Sequence, residues 1–414
     1  MIDTYFHNGS TNNNNYDSFD SYLTKYKGDK PNFKSIIWKN YDWLKEIDNS
    51  GQARDVILEN IQKTLLCKTI YLGYDAFDCD HCDNWIMLFR HCHSRFCPSC
   101  GIKLQKTLAC KAEVMCIDVK HRHMVFTIPF EYREYFRKER DALNILFIAS
   151  RNTLMKVFNK SLFDKVKRKK GIVKNPKDNL YLFRNYKDLN IFGEIATLHT
   201  FGRDLKWNPH IHILIAEIKL GDNGSCVPWT FFDYDALSLR FQKILLDILS
   251  KSLGKSFDKD KNLLYHKYPK GFYVYAEPKK FPDFKSGVEY VTRYCGRVPI
   301  SENRIVNYDG SNVTFSYIDH KDNKYHELTL SASQFIMILL RHLLPSQFKI
   351  IRYYGFYRKK HSIHSKMIPL IKQHCRNFRK QLLKYEISIS MAFHRNPYNC
   401  PKCDTKMNFV LCIN

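Results

Sequence analysis

Cysteine crowding is the feature that most constrains how this chain can fold. Eight of its 14 cysteines fall within the fifty residues from Cys67 to Cys116. The first twenty residues are polar and lack the apolar core of a secretion signal, so we expect reduced thiols or metal ligands rather than disulfides. The crowding therefore predicts a zinc-binding domain, which we place at residues 53–116.

The predicted zinc ligands come from two C-x-x-C knuckles that are 14 residues apart. Cys79 and Cys82 form the first knuckle, and Cys97 and Cys100 form the second. Each tight turn directs two thiolates to one side, and four thiolates complete a tetrahedral zinc shell. Cys92 leaves an alternative open, because it could replace one of these four or join a second metal.

A third knuckle, formed by Cys400 and Cys403, lies far along the chain. One knuckle supplies half of a zinc site, so a second zinc would need two further ligands. The candidates for these ligands are His374, Cys375, His394 and Cys412.

Length and charge narrow the class of protein. The 414 residues carry a formal net charge of +25, and 44% of them are hydrophobic. The length suggests two or three domains with sizeable cores. Such an excess of cations favours a polyanionic partner, usually nucleic acid. No run of about 18 apolar residues is present, so a membrane-spanning segment is not predicted and a cytoplasmic location is expected.

Apolar periodicity predicts helices that alternate with short strands. Strands are predicted at residues 123–129, 191–201 and 211–218, with more between 305 and 328. Helices are predicted at residues 53–66, 131–157, 235–253, 284–294 and 331–342. This mixture indicates an α+β fold with a mainly antiparallel sheet and flanking helices. The predicted organisation is a leader of uncertain order at 1–52, the zinc-binding domain, a larger α+β domain at 117–365 and a basic C-terminal segment at 366–414.

A candidate metal site lies in the motif Asn208-Pro209-His210-Ile211-His212. In a strand, residues i and i+2 point to the same face, so the two imidazoles would project together while Ile211 packs on the other side. That geometry suits a divalent ion. Two histidines on a polar strand face without a metal are the more common case, so the motif gains weight only from a partner nucleophile and a basic surface.

A candidate nucleophile lies in the segment Arg352-Tyr353-Tyr354-Gly355-Phe356-Tyr357-Arg358. On a helix Tyr353 and Tyr357 would share one face, and two phenols beside cations suit the formation of a phosphotyrosine. Aromatic packing is the alternative, and Gly355 weakens the prediction of a helix.

Taken together, these motifs resemble the transposases of rolling-circle insertion sequences, which carry a two-tyrosine, histidine-hydrophobic-histidine (HUH) nuclease behind an N-terminal zinc-binding domain. The resemblance extends from about residue 53 to residue 407. The blocks that carry it, in chain order, are Cys92-His-Ser-Arg95-Phe-Cys97-Pro-Ser-Cys100, His123-Met-Val-Phe-Thr-Ile-Pro129, Leu198-His199-Thr200, Asn208-Pro209-His210-Ile211-His212, Tyr290-Val-Thr-Arg-Tyr294, Ile300-Ser301-Glu-Asn-Arg304-Ile305, Phe335-Ile336, Arg341-His342-Leu-Leu-Pro345 and the tyrosine segment.

The resemblance implies that residues 117–365 form an HUH-type tyrosine nuclease. A Mg²⁺ or Mn²⁺ ion held by His210 and His212 would polarise the scissile phosphate. Tyr353 or Tyr357 would then attack it and leave a 5′-phosphotyrosine, and Tyr354 is the substitute if the register differs.

A third protein ligand for this ion is expected, because two histidines rarely complete the coordination shell. The candidate is His199, which lies on the preceding predicted strand, eleven residues before His210. A hairpin could bring it alongside the other two histidines. A hydrogen bond within the sheet is the alternative role for His199.

The implied partner is DNA, and one basic segment suits a single strand. Residues 341–384 contain twelve Lys or Arg and no Asp or Glu, with aromatic residues interleaved. Cations follow phosphates, and aromatic rings stack on unpaired bases. The predicted DNA-binding residues are Arg95, Arg341, Arg352, Arg358, Lys359 and Lys360.

Two other functions are compatible with the sequence. A plasmid-type rolling-circle replication initiator would use the same ion and tyrosine chemistry, although the zinc-binding domain favours a transposase. A catalytically inactive, zinc-dependent DNA-binding protein would keep the zinc module and the basic surface without cutting DNA.

Overall fold

The computed structural model describes residues 31–49, 54, 56–160, 191–220, 226–229, 232–275, 298–319, 322–358 and 384–413. The predicted helix at 284–294 lies outside these ranges, as do Lys359 and Lys360. No described helix is long and apolar enough to cross a lipid bilayer.

The described ranges contain ten α-helices. They are α1 (Phe33–Lys39), α2 (Tyr41–Asn49), α3 (Val56–Leu66), α4 (Pro98–Met115), α5 (Phe130–Lys138), α6 (Leu143–Phe158), α7 (Tyr234–Leu253), α8 (Asp258–Lys267), α9 (Ala332–Leu340) and α10 (Tyr385–Phe393). The predicted helices near α3, α7 and α9 are confirmed. The single helix predicted at 131–157 is instead α5 and α6, because a 3-10 turn at Arg140–Ala142 separates them.

The strands of the described ranges form four antiparallel sheets. They are β1 (Tyr74–Cys79), β2 (Asn84–Phe89), β3 (His121–Thr127), β4 (Gly193–Phe201), β5 (Trp207–Ala216), β6 (Ile218–Leu220), β7 (Cys226–Pro228), β8 (Val274–Tyr275), β9 (Ile305–Tyr308), β10 (Asn312–Ile318), β11 (Tyr325–Ser331), β12 (Ile351–Gly355) and β13 (Asn408–Ile413). The central sheet has the order β12-β4-β5-β3-β8, and smaller sheets have the orders β13-β1-β2, β11-β10-β9 and β6-β7. The predicted α+β fold is confirmed.

One face of the central sheet forms the largest core. Ile211, Ile213 and Ile215 of β5 are fully buried there among side chains of α6 and α7. Each such side chain contributes about 1.5–3 kcal/mol when it leaves water. Because side chains alternate along a strand, the residues between these isoleucines point to the opposite face of the sheet.

A second core joins the predicted leader to a later part of the chain. Helices α1 to α3 pack with α9 and the β9–β11 sheet around Phe33, Ile36, Phe315 and Phe335. The side chain of Asn32 caps α1 by accepting a hydrogen bond from the Ser35 N–H at 2.8 Å. The end of the leader is therefore part of the fold, although its sequence shows no clear periodicity.

A buried ion pair connects the largest core to the central sheet. Arg151 of α6 donates a hydrogen bond to Glu194 of β4, whose carboxylate is fully buried. Burial raises the pKa of Glu194, and the charge of Arg151 opposes that effect. The guanidinium of Arg151 also lies 5.0 Å from the ring centre of Tyr354. Arg151 is therefore the group that offsets the cost of burying the Glu194 carboxyl.

We expect Arg151→Met to lower the free energy of unfolding by about 3–5 kcal/mol, because it leaves the buried Glu194 carboxylate uncompensated. Adding Glu194→Gln should restore part of the loss. Urea denaturation measures both effects. The control is Lys63→Met, which removes a half-exposed partner of Glu59 and should change stability by less than about 1 kcal/mol. If Arg151→Met lowered the free energy of unfolding no more than Lys63→Met does, Arg151 would not be the group that stabilises the buried Glu194.

Candidate active site

Three histidines meet on the face of the central sheet that lies opposite the largest core. In the pairing of β4 with β5, His199 stands opposite His210, and Thr197 stands opposite His212. One candidate ligand atom from each histidine lies within 4.8 Å of the others. The structure thus brings His199 to the two histidines of the H-x-H motif.

Hydrogen bonds fix the orientation of two of these rings. The His210 Nδ1 lies 2.6 Å from the Asn208 carbonyl oxygen, so this nitrogen donates and Nε2 keeps its lone pair. The His212 Nδ1 lies 2.8 Å from Nε2 of His123 on β3, and the two rings stack. Such outer partners orient metal-binding imidazoles. Sequence reasoning missed His123, although its position in the predicted strand 123–129 was the available signal.

The donor set fits a divalent ion. Three imidazoles converge, and His199 and His212 are more than nine-tenths buried, so their positions are fixed by packing before any ion binds. Ring nitrogens with free lone pairs are ligands for divalent transition metals. Within the described residues, no carboxylate joins this histidine group.

The tyrosine segment is a strand rather than the predicted helix. Residues Ile351–Gly355 pair with β4 at the edge of the central sheet. Gly355 then adopts a φ of 56°, and a Cβ there would lie 1.5 Å from the Phe192 carbonyl oxygen. Only glycine fits this turn, which ends β12. The prediction that Tyr353 and Tyr357 share a helix face is therefore wrong.

Tyr353 and Tyr354 point to opposite faces of the sheet. Tyr353 pairs with Ile195, which places its side chain on the histidine face, where it packs against a small apolar cluster. Tyr354 packs on the largest core beneath Arg151, and burial raises its pKa. The structure thus separates the two neighbouring tyrosines.

Tyr357 is almost fully buried. Its hydroxyl lies 2.5 Å from Nε2 of His121 and accepts a hydrogen bond from the Ile117 N–H at 3.4 Å. Burial raises the pKa of this phenol well above its usual value. Its burial and raised pKa favour a packing role for Tyr357 over attack on a phosphate.

The first cysteine cluster differs from the predicted one. Cys97 and Cys100 group with Cys92 and Cys67. The Cys100 sulfur lies 3.4 Å from that of Cys67 and 3.5 Å from that of Cys92. Cys67 was missed because it stands alone, twelve residues before the next cysteine.

The predicted grouping of Cys79 and Cys82 with Cys97 and Cys100 is wrong. Cys79 and Cys82 lie at the tip of the β1–β2 hairpin, whose strands of six residues are about 20 Å long. The base of the hairpin carries the first cluster. The tip instead meets Cys400 and Cys403.

Contacts among the thiols of the first cluster lower the pKa of Cys67 and Cys100 and raise that of Cys92 and Cys97. Hydrogen bonds from neighbouring thiols, with Cys67 first, hold the pKa of Cys100 below its usual range. A hydrogen bond to Cys100 raises the pKa of His91. A metal at this cluster would bind all four sulfurs in their deprotonated form.

The predicted DNA-binding residues have different environments. Arg341 and Arg358 are exposed. Arg352 is partly buried, with its guanidinium 4.0 Å from the ring centre of Phe147. Arg95 lines a cavity of about 380 Å³ beside His342, and burial lowers its pKa to about 10. Arg95 therefore stays charged at neutral pH inside a recess that can admit an anionic group.

Two protein families match this chain in separate regions. Residues 193–364 match the family Y2_Tnp, described as "Putative transposase". Residues 38–128 match the family Zn_Tnp_IS91, described as "Transposase zinc-binding domain". The first region contains the three histidines, and the second contains the first cysteine cluster.

Similar whole proteins include two from bacteria. The chain is 27% identical over 338 residues to the "Transposase for insertion sequence element IS801" of Pseudomonas savastanoi pv. phaseolicola, covering 78% of this chain and 75% of the relative. It is 28% identical over 310 residues to the "Putative transposase y4qJ" of Sinorhizobium fredii strain NBRC 101917 / NGR234, covering 70% and 72%. No solved structure matches.

The buried His342 and the partly buried His121 should make stability depend on pH. Burial lowers the pKa of His121 and of His342 to about 4 from the ordinary 6.5. Between these values the unfolded chain binds protons that the folded chain does not. We therefore expect the free energy of unfolding to fall as pH decreases from about 6.5 to about 4, by up to about 1.4 kcal/mol per unit for each histidine.

Urea unfolding between about pH 7 and pH 5 measures this slope. His121→Gln and His342→Gln should each make it shallower, whereas the exposed His266→Gln should leave it unchanged. A slope that is the same in all three variants would contradict the expectation.

Proposed function

Because the chain belongs to the IS91-type insertion-sequence transposases that carry an N-terminal zinc-binding domain, we propose that it nicks and rejoins single-stranded DNA at the ends of its element through a covalent phosphotyrosine. The observation that carries the proposal is the group formed by His199, His210 and His212. It lies within the region that matches the transposase family.

The three histidines would hold the catalytic ion, Mg²⁺ or Mn²⁺. When bound, the ion would act as a Lewis acid on the scissile phosphate. His123 would keep the ring of His212 in its ligating orientation through their 2.8 Å contact. Three nitrogen donors are a softer set than Mg²⁺ usually takes, so Mn²⁺ suits this site better.

A tyrosine would supply the nucleophile. Its phenol oxygen attacks the phosphorus and loses its proton, the bond from phosphorus to the 3′ oxygen breaks, and that oxygen leaves as a 3′-hydroxyl after gaining a proton. The 5′ phosphate stays on the protein as a phosphotyrosine. Attack by the 3′-hydroxyl of another strand then reverses the step, so joining needs no nucleotide cofactor.

Two tyrosines four residues apart would allow two such steps. The burial of each tyrosine helps to identify which pair could act as nucleophiles. Tyr357 is buried, and Tyr354 lies on the opposite face of the sheet. Tyr353 is therefore the one tyrosine of this segment that is partly exposed on the histidine face. Tyr353 is separated from His212 by two strand spacings across the sheet and two residues along β5. The distance between their Cα atoms is therefore about 12 Å.

Another pair with this spacing lies in the region that matches the transposase family. It consists of Tyr290 and Tyr294, in the segment whose sequence predicts a helix. Tyrosines four apart share a helix face, which is the arrangement that the strand β12 denies to Tyr353 and Tyr357. We therefore place the attack on Tyr290 or Tyr294, with Tyr353 as the alternative.

The DNA would reach the site over a basic surface. Arg341 precedes β12 in the sequence, Arg358 follows it, and both side chains are exposed. They belong to the stretch 341–384, which carries twelve cations and no acid. Phosphates bind such a surface without regard to sequence, and the interleaved aromatic residues suit the unpaired bases of a single strand.

Zinc would have a structural role in this protein. We propose Cys67, Cys92, Cys97 and Cys100 as its ligands, since a closed shell of four thiolates leaves no open position for substrate. None of the described cysteines forms a disulfide. Reduced thiols and a DNA substrate both fit work in the cytoplasm.

Replacing His199, His210 or His212 with Ala should abolish nicking of a labelled single-stranded element end in Mn²⁺ while leaving DNA binding nearly unchanged. His123→Ala should instead slow nicking by about 10–100-fold, because it removes an orienting partner and not a ligand. The exposed His266→Ala is the control. If a variant of His199, His210 or His212 nicked DNA at the wild-type rate, the catalytic ion would have to bind elsewhere.

The wild-type protein should form a covalent adduct with its own single-stranded DNA ends, detected on denaturing gels and mapped by mass spectrometry. Tyr290→Phe with Tyr294→Phe should remove the adduct, because only the attacking oxygens are lost. Tyr353→Phe should keep it. The opposite result would assign the nucleophile to Tyr353, and no adduct from the wild type would disprove the tyrosine mechanism.

Tyr357→Phe provides the matched control. It removes the hydroxyl that contacts His121, so we expect a loss of stability of about 1–3 kcal/mol with the adduct retained.

A further inference from the structure

A second cluster of four cysteines joins distant parts of the chain. The sulfur atoms of Cys79, Cys82, Cys400 and Cys403 lie within 4.8 Å of one another. Cys79 is 3.5 Å from Cys403, and Cys82 is 3.5 Å from Cys400. The third pair, Cys79 with Cys82, is 3.7 Å apart. The matched zinc-binding domain ends at residue 128, so half of this cluster lies outside it.

The two halves have the same local structure. In the first, the Asp83 N–H donates to the Cys79 carbonyl oxygen, and Asp83 has a φ of 52°. In the second, the Asp404 N–H donates to the Cys400 carbonyl oxygen, and Asp404 has a φ of 57°. Each turn thus folds back on its first cysteine and directs both sulfurs to one side.

The distances fit a metal better than disulfides. Zinc–sulfur bonds of about 2.3 Å in a tetrahedron set neighbouring sulfurs about 3.8 Å apart. Two disulfides would bring the sulfurs together in separate pairs. Here the two contacts between the knuckles, each 3.5 Å, are close in length to the 3.7 Å contact within the first knuckle. Among the residues that the structure describes, no acid or histidine joins the group. Four thiolates without another ligand favour Zn²⁺.

Apolar packing contributes little to this part of the fold. Strand β13 pairs with β1 from Tyr74 opposite Ile413 to Asp78 opposite Asn408. All six residues of β13 are exposed, and the adjoining core has only Phe77 and Met407 as buried residues besides two cysteines. A small core of this kind needs a staple to stay folded.

We propose that Cys79, Cys82, Cys400 and Cys403 bind a second structural Zn²⁺, which fastens the C-terminal segment to the N-terminal zinc-binding module. The first knuckle lies at the tip of the β1–β2 hairpin, and the second directly precedes β13. Binding of one ion would therefore complete a three-stranded sheet from two segments whose cysteines, Cys82 and Cys400, are 318 residues apart in the chain. This site is independent of the proposed DNA chemistry.

Native mass spectrometry of the full-length protein tests the proposal. The wild type should carry two zinc ions, and Cys400→Ser with Cys403→Ser should carry one. Cys412→Ser is the matched control, because it removes a thiol from β13 that lies outside the cluster, and it should keep two. A wild type with one zinc would overturn the proposal without any variant, and so would an unchanged count in the double variant.

Hydrogen exchange tests the fastening itself. In the double variant the backbone amides of β13 should lose the protection that they show in the wild type and in Cys412→Ser. The amides of β4 and β5 should stay protected in all three proteins, which shows that the nuclease core is folded. Unchanged protection of β13 after loss of the second zinc would overturn the fastening role.

Discussion

The antiparallel pairing of β4 with β5 is the interaction on which the candidate active site depends. It sets His199 opposite His210 and places His212 two residues further along the same face. A slip of one residue would turn the histidines of one strand into the apolar core. The isoleucines of β5 prevent that slip, because they would then have to leave the core at about 1.5–3 kcal/mol each. Hydrophobic burial on one face of the sheet therefore fixes the positions of the three histidines on the other face.

Strand β12 shows how the same sheet constrains the tyrosines. Its pairing with β4 forces Tyr353 and Tyr354 to opposite faces, and the left-handed turn at Gly355 sends Tyr357 inward. There the hydroxyl of Tyr357 connects β12 to His121 at the start of β3. Tyr354 and Tyr357 of this segment are thus held in packing contacts between elements.

Local patterns predicted from sequence are confirmed where the period is strong. The alternation in β5 and the helical period of α7 gave correct elements, and the expected hairpin does bring His199 to the other histidines. Contacts between distant parts of the chain could not be predicted. Two C-x-x-C knuckles near each other look like one site, and only the length of the β1–β2 hairpin reveals that each pairs elsewhere. The tyrosine spacing likewise fits a helix until the pairing partner of β12 is known.

Electrostatics connect the two cysteine clusters. A zinc ion with four thiolates would have a net charge of about −2, and Lys34, Lys68 and Lys103 lie near the first cluster. Burial lowers the pKa of Lys103, whereas the charge of Cys100 raises it. The ammonium of Lys103 lies 4.5 Å from the ring centre of Tyr385 at the start of α10, the helix that leads to the second knuckle. The Lys103 side chain therefore joins the first cysteine cluster to the helix that leads to the second.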